Sequence, residues 1–236
     1  MSRVRSQAQL VLPAQRTVQC AEALAWLREN PAQPGMSVVT SLPDHSEMPG
    51  LTLEGWKEWF TGTVRTIIDW TPDDGVAIFF QSDVRHQGVW VDKGYLVMKA
   101  ADAVEAPVLW HKIVCRRPAG TITPGRPSYS HMICVSRVPH GPAERPGPDV
   151  LPDAGFMAWP RAMGEKACVA ACRYLRDETA TRIVVDPFCG EGSLLAAANS
   201  LGFGAIGVDL SPRRCRIAVG QTLSTVADSH KTSCLS

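Results

Sequence analysis

No C-x-x-C pair occurs among the eight cysteines of this 236-residue chain, and Cys168 and Cys172 have no histidines near them at zinc-finger spacing. A metal site is therefore not expected, and the thiols read as buried and reduced. No apolar run reaches the length needed to cross a bilayer, so no membrane partner is expected. Met1-Ser2-Arg3-Val4-Arg5 is not followed by the long apolar stretch of a secretion signal, and the expected location is the cytoplasm. A phosphate cradle of the form G-x-x-x-x-G-K-[ST] is missing throughout. What remains is ordinary: 45% hydrophobic and 20% charged residues, enough chain to bury a substantial core in one compact soluble domain.

Against that background one stretch stands out. Ile183-Val184-Val185-Asp186 is an apolar β-branched run, followed by Pro187-Phe188-Cys189-Gly190-Glu191-Gly192-Ser193, a helix-favouring stretch from Leu194 to Leu201, and a Gly202 stop. Ala205-Ile206-Gly207-Val208 is a second short strand, ending in the acid Asp209. This is the layout of a nucleoside-binding βαβ unit, in which glycines admit a ligand close to the backbone and the acid accepts both ribose hydroxyls. A dinucleotide fingerprint would need a third glycine where Leu195 stands, so a pyrophosphate is not the expected ligand.

Asp186-Pro187-Phe188-Cys189-Gly190-Glu191-Gly192-Ser193 resembles the D-P-F-x-G-x-G-[ST] motif of S-adenosylmethionine-dependent amino-methyltransferases. The resemblance implies that S-adenosyl-L-methionine is the cofactor, that residues 186–193 wrap its methionine part, and that Asp209, with Leu210 beside it, holds the ribose. The motif begins near residue 183, too late for a whole sheet to follow it. That order resembles the permuted class of DNA and RNA amino-methyltransferases, in which the catalytic half precedes the cofactor half. Cys20 falls where many permuted members carry an acid facing the adenosine. The implied fold is α/β: a doubly wound, Rossmann-like sheet, circularly permuted, mostly parallel with a terminal antiparallel hairpin.

The upstream sequence matches this order. Residues 18–27 pass from a short strand into a helix, and Met36-Ser37-Val38-Val39-Thr40 is a buried-strand run. From Thr52, a residue type suited to an N-cap, Trp56, Trp59, Phe60, Val64, Ile67 and Ile68 recur at helical spacing. Strands are expected at 75–80, 107–113 and 130–135, with a helix over 93–105. Residues 139–152 hold five prolines and two glycines and read as a linker. Met163, Ala167, Ala170, Ala171 and Tyr174 fall on one face of a further helix. Residues 1–236 thus read as a single domain: a catalytic and substrate half at 18–138, a Pro/Gly-rich linker at 139–158, a cofactor half at 159–218 and a polar tail at 219–236.

In the resembled family the fourth strand ends in [D/N/S]-P-P-[Y/F/W]. The first side chain and the next carbonyl accept the N–H groups of a target amine, and the ring stacks on the base. Ser41-Leu42-Pro43-Asp44 occupies this position, with an acceptor at Ser41 but a carboxylate in place of the ring. Asp44 can accept an N–H bond or act as a general base, and His45 can assist. Trp56, Trp90 or Tyr129 could provide stacking. Residues 111–145 carry six basic side chains, Lys112, Arg116, Arg117, Arg126, Arg137 and Arg145, against the single acid Glu144, as phosphate binding requires.

The expected activity is methyl transfer to an exocyclic amine of a nucleic-acid base. RNA is favoured over DNA because the chain has no room for a separate sequence-reading region. A DNA adenine or cytosine amino-methyltransferase is the nearest alternative. A catalytically silent binding domain and a small-molecule methyltransferase are the others. The sequence leaves open a homodimer or a recognition partner.

Overall fold

The computed structural model describes residues 15–140, 144, 147–159 and 161–224. Its strands are β1 (Arg16–Cys20), β2 (Met36–Thr40), β3 (Ala77–Gln81), β4 (Val84–His86), β5 (Val89–Val91), β6 (Val108–Cys115), β7 (Tyr129–Val135), β8 (Val150–Leu151), β9 (Ile183–Asp186) and β10 (Gly204–Asp209). The helices are α1 (Ala23–Glu29), α2 (Leu53–Trp70), α3 (Lys93–Asp102), α4 (Glu165–Glu178), α5 (Ser193–Ser200) and α6 (Pro212–Gly220), with a 3-10 turn at His45–Glu47.

The longest helix shows how local sequence writes this fold. The Thr52 hydroxyl accepts the Gly55 N–H at 3.1 Å and so starts α2. Trp56, Phe60, Val64, Ile67 and Ile68 then fall on one stripe and are almost completely buried against the sheet. Truncating a ring such as Phe60 to alanine costs about 3–5 kcal/mol at a site of this kind. β2 and β3 are buried at every position because helices cover both faces of the sheet, which is why they read as continuous apolar runs. Val38, Phe79 and Ile133 pack on the side of α2 and α3; Val39, Ile78 and Cys134 pack on the side of α4 and α5.

Eight strands form one sheet in the order β1-β10-β9-β2-β3-β7-β6-β8. From β1 to β3 every pairing is parallel, and β7 runs antiparallel to both β3 and β6. The expected doubly wound sheet with a terminal hairpin is therefore present. It is permuted: β9 and β10, late in the chain, lie between β1 and β2. From β9 the chain continues toward β10 and β1, whereas from β2 it continues to β3 on the other side. The carboxyl ends of β9 and β2 thus flank a topological switch point, where a crevice opens.

Two expectations about local structure change. Residues 139–158 are more than a linker, because β8 within them adds to the sheet edge by parallel pairing with Ile113 and Val114 of β6, and Leu151 and Ala154 are buried. Met163 lies before α4, in the loop that leads to it. The hairpin of β4 and β5 lies outside the main sheet. Three-residue strands bounded by polar residues give little periodic signal. No helix among the described residues is long and apolar enough to cross a membrane. No disulfide forms among the seven described cysteines, five of which are buried.

Candidate functional site

Asp186 ends β9 at the switch point. Its Oδ1 accepts the Thr40 hydroxyl at 2.7 Å, joining the tips of β9 and β2, and also the Phe188 N–H at 3.1 Å. Its Oδ2 is buried and has no partner. Burial pushes this carboxyl up to about 7, against the opposing effect of the two hydrogen bonds and with a further upward push from the charge of Asp209. The loop that follows turns through Gly190 (φ +55°) and Gly192 (φ +85°). A Cβ on Gly192 would lie 2.8 Å from the Ala218 Cα, so only glycine fits between the loop and α6.

Asp209 closes the loop from the other side. Its Oδ2 accepts the Gly190 N–H at 3.1 Å and its Oδ1 accepts the Ser211 N–H at 2.7 Å. Glycine loop and strand-end acid are therefore one hydrogen-bonded unit. Pro187, Phe188, Cys189, Ser193 and Leu210 line the same cavity. Cys20 does not: it is exposed, and its thiol reaches the Leu210 carbonyl at 3.6 Å. Ala21, Glu22 and Ala23 face the cavity in its place, with the Glu22 carboxylate engaged in capping α1.

The loop before α4 spans the cavity. Trp159 lies beside Gly190, and the Arg214 guanidinium sits 4.9 Å from its ring centre and 3.8 Å from Asp209 Oδ2. Arg161 reaches across to Glu47 at 3.0 Å and to the Ser46 hydroxyl at 3.2 Å. Arg116 donates to the Ala162 carbonyl at 3.1 Å. Apart from Arg214–Asp209, five residues apart, these contacts join segments far apart in the chain and so have no sequence signature.

Ser41 to Asp44 follow β2 and line the opposite wall. The Trp56 indole donates to the Pro43 carbonyl at 3.2 Å, so the buried face of α2 fixes this turn. Asp44 is paired with Lys93, a residue that sequence reading passed over; their side chains are 13% and 3% exposed. The Asp44 N–H donates to Glu47 at 3.0 Å, and that carboxylate in turn binds Arg161. His45 does not line the cavity: its Nε2 lies 2.9 Å from the Leu51 carbonyl and its ring packs on His86 and Trp56. Trp56 is completely buried, and Trp90 and Tyr129 are not among the lining residues. The aromatic residues that do line the cavity are Trp59, Phe80, Trp159 and Phe188.

Lys93 also ties in a second acid, its backbone N–H donating to Asp83 Oδ1 at 2.8 Å. Asp83 Oδ2 lies 3.0 Å from His131 Nε2, and His131 Nδ1 lies 2.9 Å from His111 Nε2. Burial and the neighbouring His131 lower the His111 pKa, with Asp92 and Asp83 opposing. Asp83, Asp92 and His131 bring potential metal-ligand atoms within 4.8 Å of one another, a grouping the sequence reading did not foresee.

The basic segment divides. Arg116, Arg117 and Arg126 line the cavity, whereas Lys112 binds Asp149 and the Gly147 and Pro148 carbonyls, and Arg137 binds Asp73. Arg145 lies outside the described residues. The cavity, about 1120 Å³, therefore has the glycine loop on one wall, Ser41–Asp44 on another, and Arg116, Arg117 and Arg126 in its lining beside Arg161 and Arg214.

Scans of the chain match no family model, and no curated protein matches it. Solved structures do. A Thermus thermophilus protein assigned as a DNA modification methylase, crystallised with S-adenosyl-L-methionine, superposes with a TM-score of 0.65 at 19% identity over 87% of this chain and 91% of its own. The PvuII DNA methyltransferase (cytosine-N4-specific) gives 0.67 at 14% identity over 91% and 88%. The M1.HpyAVI complex with the same cofactor gives 0.58 at 13% identity over 86% and 98%. At these identities the likeness is one of fold.

Proposed function

We propose that the chain is a permuted S-adenosyl-L-methionine-dependent methyltransferase that modifies an exocyclic amine of a nucleic-acid base, with DNA as the polymer. One observation carries this reading: the Asp186–Gly190–Asp209 unit and the Ser41–Asp44 turn face each other across one cavity. At about 1120 Å³ it exceeds the roughly 300–1,000 Å³ of a pocket for one drug-sized ligand. Cofactor and an everted base fit that volume together.

The donor groups suit the cofactor. The unpartnered, buried Asp186 Oδ2 is an acceptor without a donor, which an α-ammonium group would satisfy. Asp209, already held by two backbone N–H groups, has lone pairs left for ribose hydroxyls. Bound S-adenosyl-L-methionine would supply an electrophilic sulfonium methyl. Ser41 and Asp44 would accept the N–H groups of the target amine and aim its lone pair. With Lys93 on one carboxylate oxygen, Asp44 serves as a fixed acceptor rather than as the base that takes the proton. Trp59 or Phe188 replaces the absent ring as a stacking surface.

DNA is preferred to RNA because the argument from compactness lapses. The chain spans 88–91% of the two structures named as DNA methylating enzymes, so a small domain no longer points to RNA. The test has two parts. Calorimetry should detect S-adenosyl-L-methionine binding that Asp209→Ala weakens about ten-fold or more. Transfer of labelled methyl should then be seen on DNA above RNA, and Asp44→Ala should cut it about a hundred-fold. Labelling of RNA alone would restore the RNA reading. Cofactor binding with no transfer to DNA, RNA or small-molecule pools would make this a silent binding domain.

A further inference from the structure

The β4–β5 hairpin is an excursion between β3 and α3, and its two faces differ. Val84 and Val91 are paired across it and anchor it, Val91 buried and Val84 packed on the α2/α3 core. The connecting residues Gln87 (φ 49°) and Gly88 (φ 81°) both have positive φ, the geometry of a tight two-residue turn matched to strand twist. The His86 ring packs edge-on against His45 at 4.8 Å, and Val84 lines the cavity. The hairpin is thus a braced ribbon on the rim, continuous with the catalytic turn.

Arg85 and Trp90 are directly paired on the other face. Trp90 is 42% exposed, and the Arg85 guanidinium lies 5.7 Å from its ring centre. Neither side chain has a hydrogen bond or ion pair among the described residues. Placing a large aromatic in water on a rigid support loses burial that a turn of polar residues would not need. An unsatisfied cation beside an exposed ring offers two different contacts at once: a π-face for a base and a charge for a phosphate.

We infer that Arg85 and Trp90 hold a nucleotide flanking the modified one, its base stacked on Trp90 and its phosphate on Arg85. This rests on the nucleic-acid reading above. A strand whose target base enters the cavity must leave over the rim, where Arg117 and Arg126 are also exposed. Exposed arginines at this mouth, with an aromatic platform on the adjoining hairpin, fit a single-stranded or locally opened polynucleotide.

Fluorescence anisotropy with a labelled single-stranded DNA and its RNA counterpart tests the assignment. Trp90→Ala should weaken binding about ten-fold, Trp90→Phe should restore most of it, and Arg85→Ala should reduce the salt slope by about one phosphate contact. Both positions are exposed, so melting temperature and S-adenosyl-L-methionine affinity should match the parent protein. If both alanine variants bind like the parent while reversal of Arg117 and Arg126 to Glu abolishes binding, the hairpin assignment falls and the nucleic-acid reading stands. If the parent binds neither strand, both fall.

Discussion

The residue with the most to say is Asp186, because the structure holds its carboxyl at about 7 when an unfolded chain releases that proton near 4. Between those values the folded protein keeps a proton that the unfolded chain has lost. The stabilising contribution of this group is therefore full below about pH 4 and is lost as pH rises to about 7. Thermal or urea unfolding of the ligand-free protein should show that fall, on the order of a few kcal/mol, and Asp186→Asn should flatten it. A cationic ligand group on Oδ2 reverses the preference. Binding of S-adenosyl-L-methionine should release a proton near pH 6–7 and tighten as pH rises through that range. Calorimetry in buffers of different ionisation enthalpy measures the proton count; an unchanged count in Asp186→Asn would move the ammonium elsewhere. Burial also pushes the Cys172 thiol up to about 12 and those of Cys134 and Cys189 higher still, which keeps these three protonated.

At the scale of elements, the Ser41–Asp44 turn is held by two helices rather than by its own sequence. α2 contributes the Trp56 indole to the Pro43 carbonyl, and the first residue of α3, Lys93, reaches back to Asp44. The Lys93–Asp44 pair is almost wholly removed from water, so its partners are worth more together than apart. Lys93→Met should destabilise the fold by about 3–5 kcal/mol by leaving a buried carboxylate unpaired, and adding Asp44→Leu should recover most of that loss. Urea titration of the single and double variants gives the coupling. A double variant no more stable than Lys93→Met alone would mean that Lys93 matters for packing and not for Asp44.

The whole molecule joins three parts of the chain that are remote in sequence. Residues 183–209 bring the glycine loop, residues 36–44 the Ser41–Asp44 turn, and the loop after β6 Arg116, Arg117 and Arg126. Net charge is only +1, so attraction for a polyanion has to come from local clusters of charge rather than from the total. Reversing Arg116, Arg117 and Arg126 to Glu should weaken nucleic-acid binding steeply and flatten its salt dependence, with cofactor affinity intact. Arg116 also holds the Ala162 carbonyl, so the Arg117 and Arg126 double variant is the cleaner of the two. A salt slope equal to that of the parent protein would place the phosphate contacts on another surface.

What the sequence determined by itself was the part governed by short-range rules. Glycines at 190 and 192 meet positive φ, Thr52 caps α2, and the apolar stripe of α2 is buried. Each of these is settled by steric and hydrogen-bonding demands within a few residues. Tertiary structure decided the rest. Lys93 reads only as the start of a helix, and the approach of β2 to α3 is what buries it against Asp44. Asp186 reads as a strand-end acid, and only the pairing of β9 with β2 supplies Thr40 and excludes water. His45 reads as a catalytic neighbour, and packing against His86 turns it from the cavity. Charges and rings are assigned by what surrounds them, and a surface made from segments over a hundred residues apart leaves no periodicity in the chain to read.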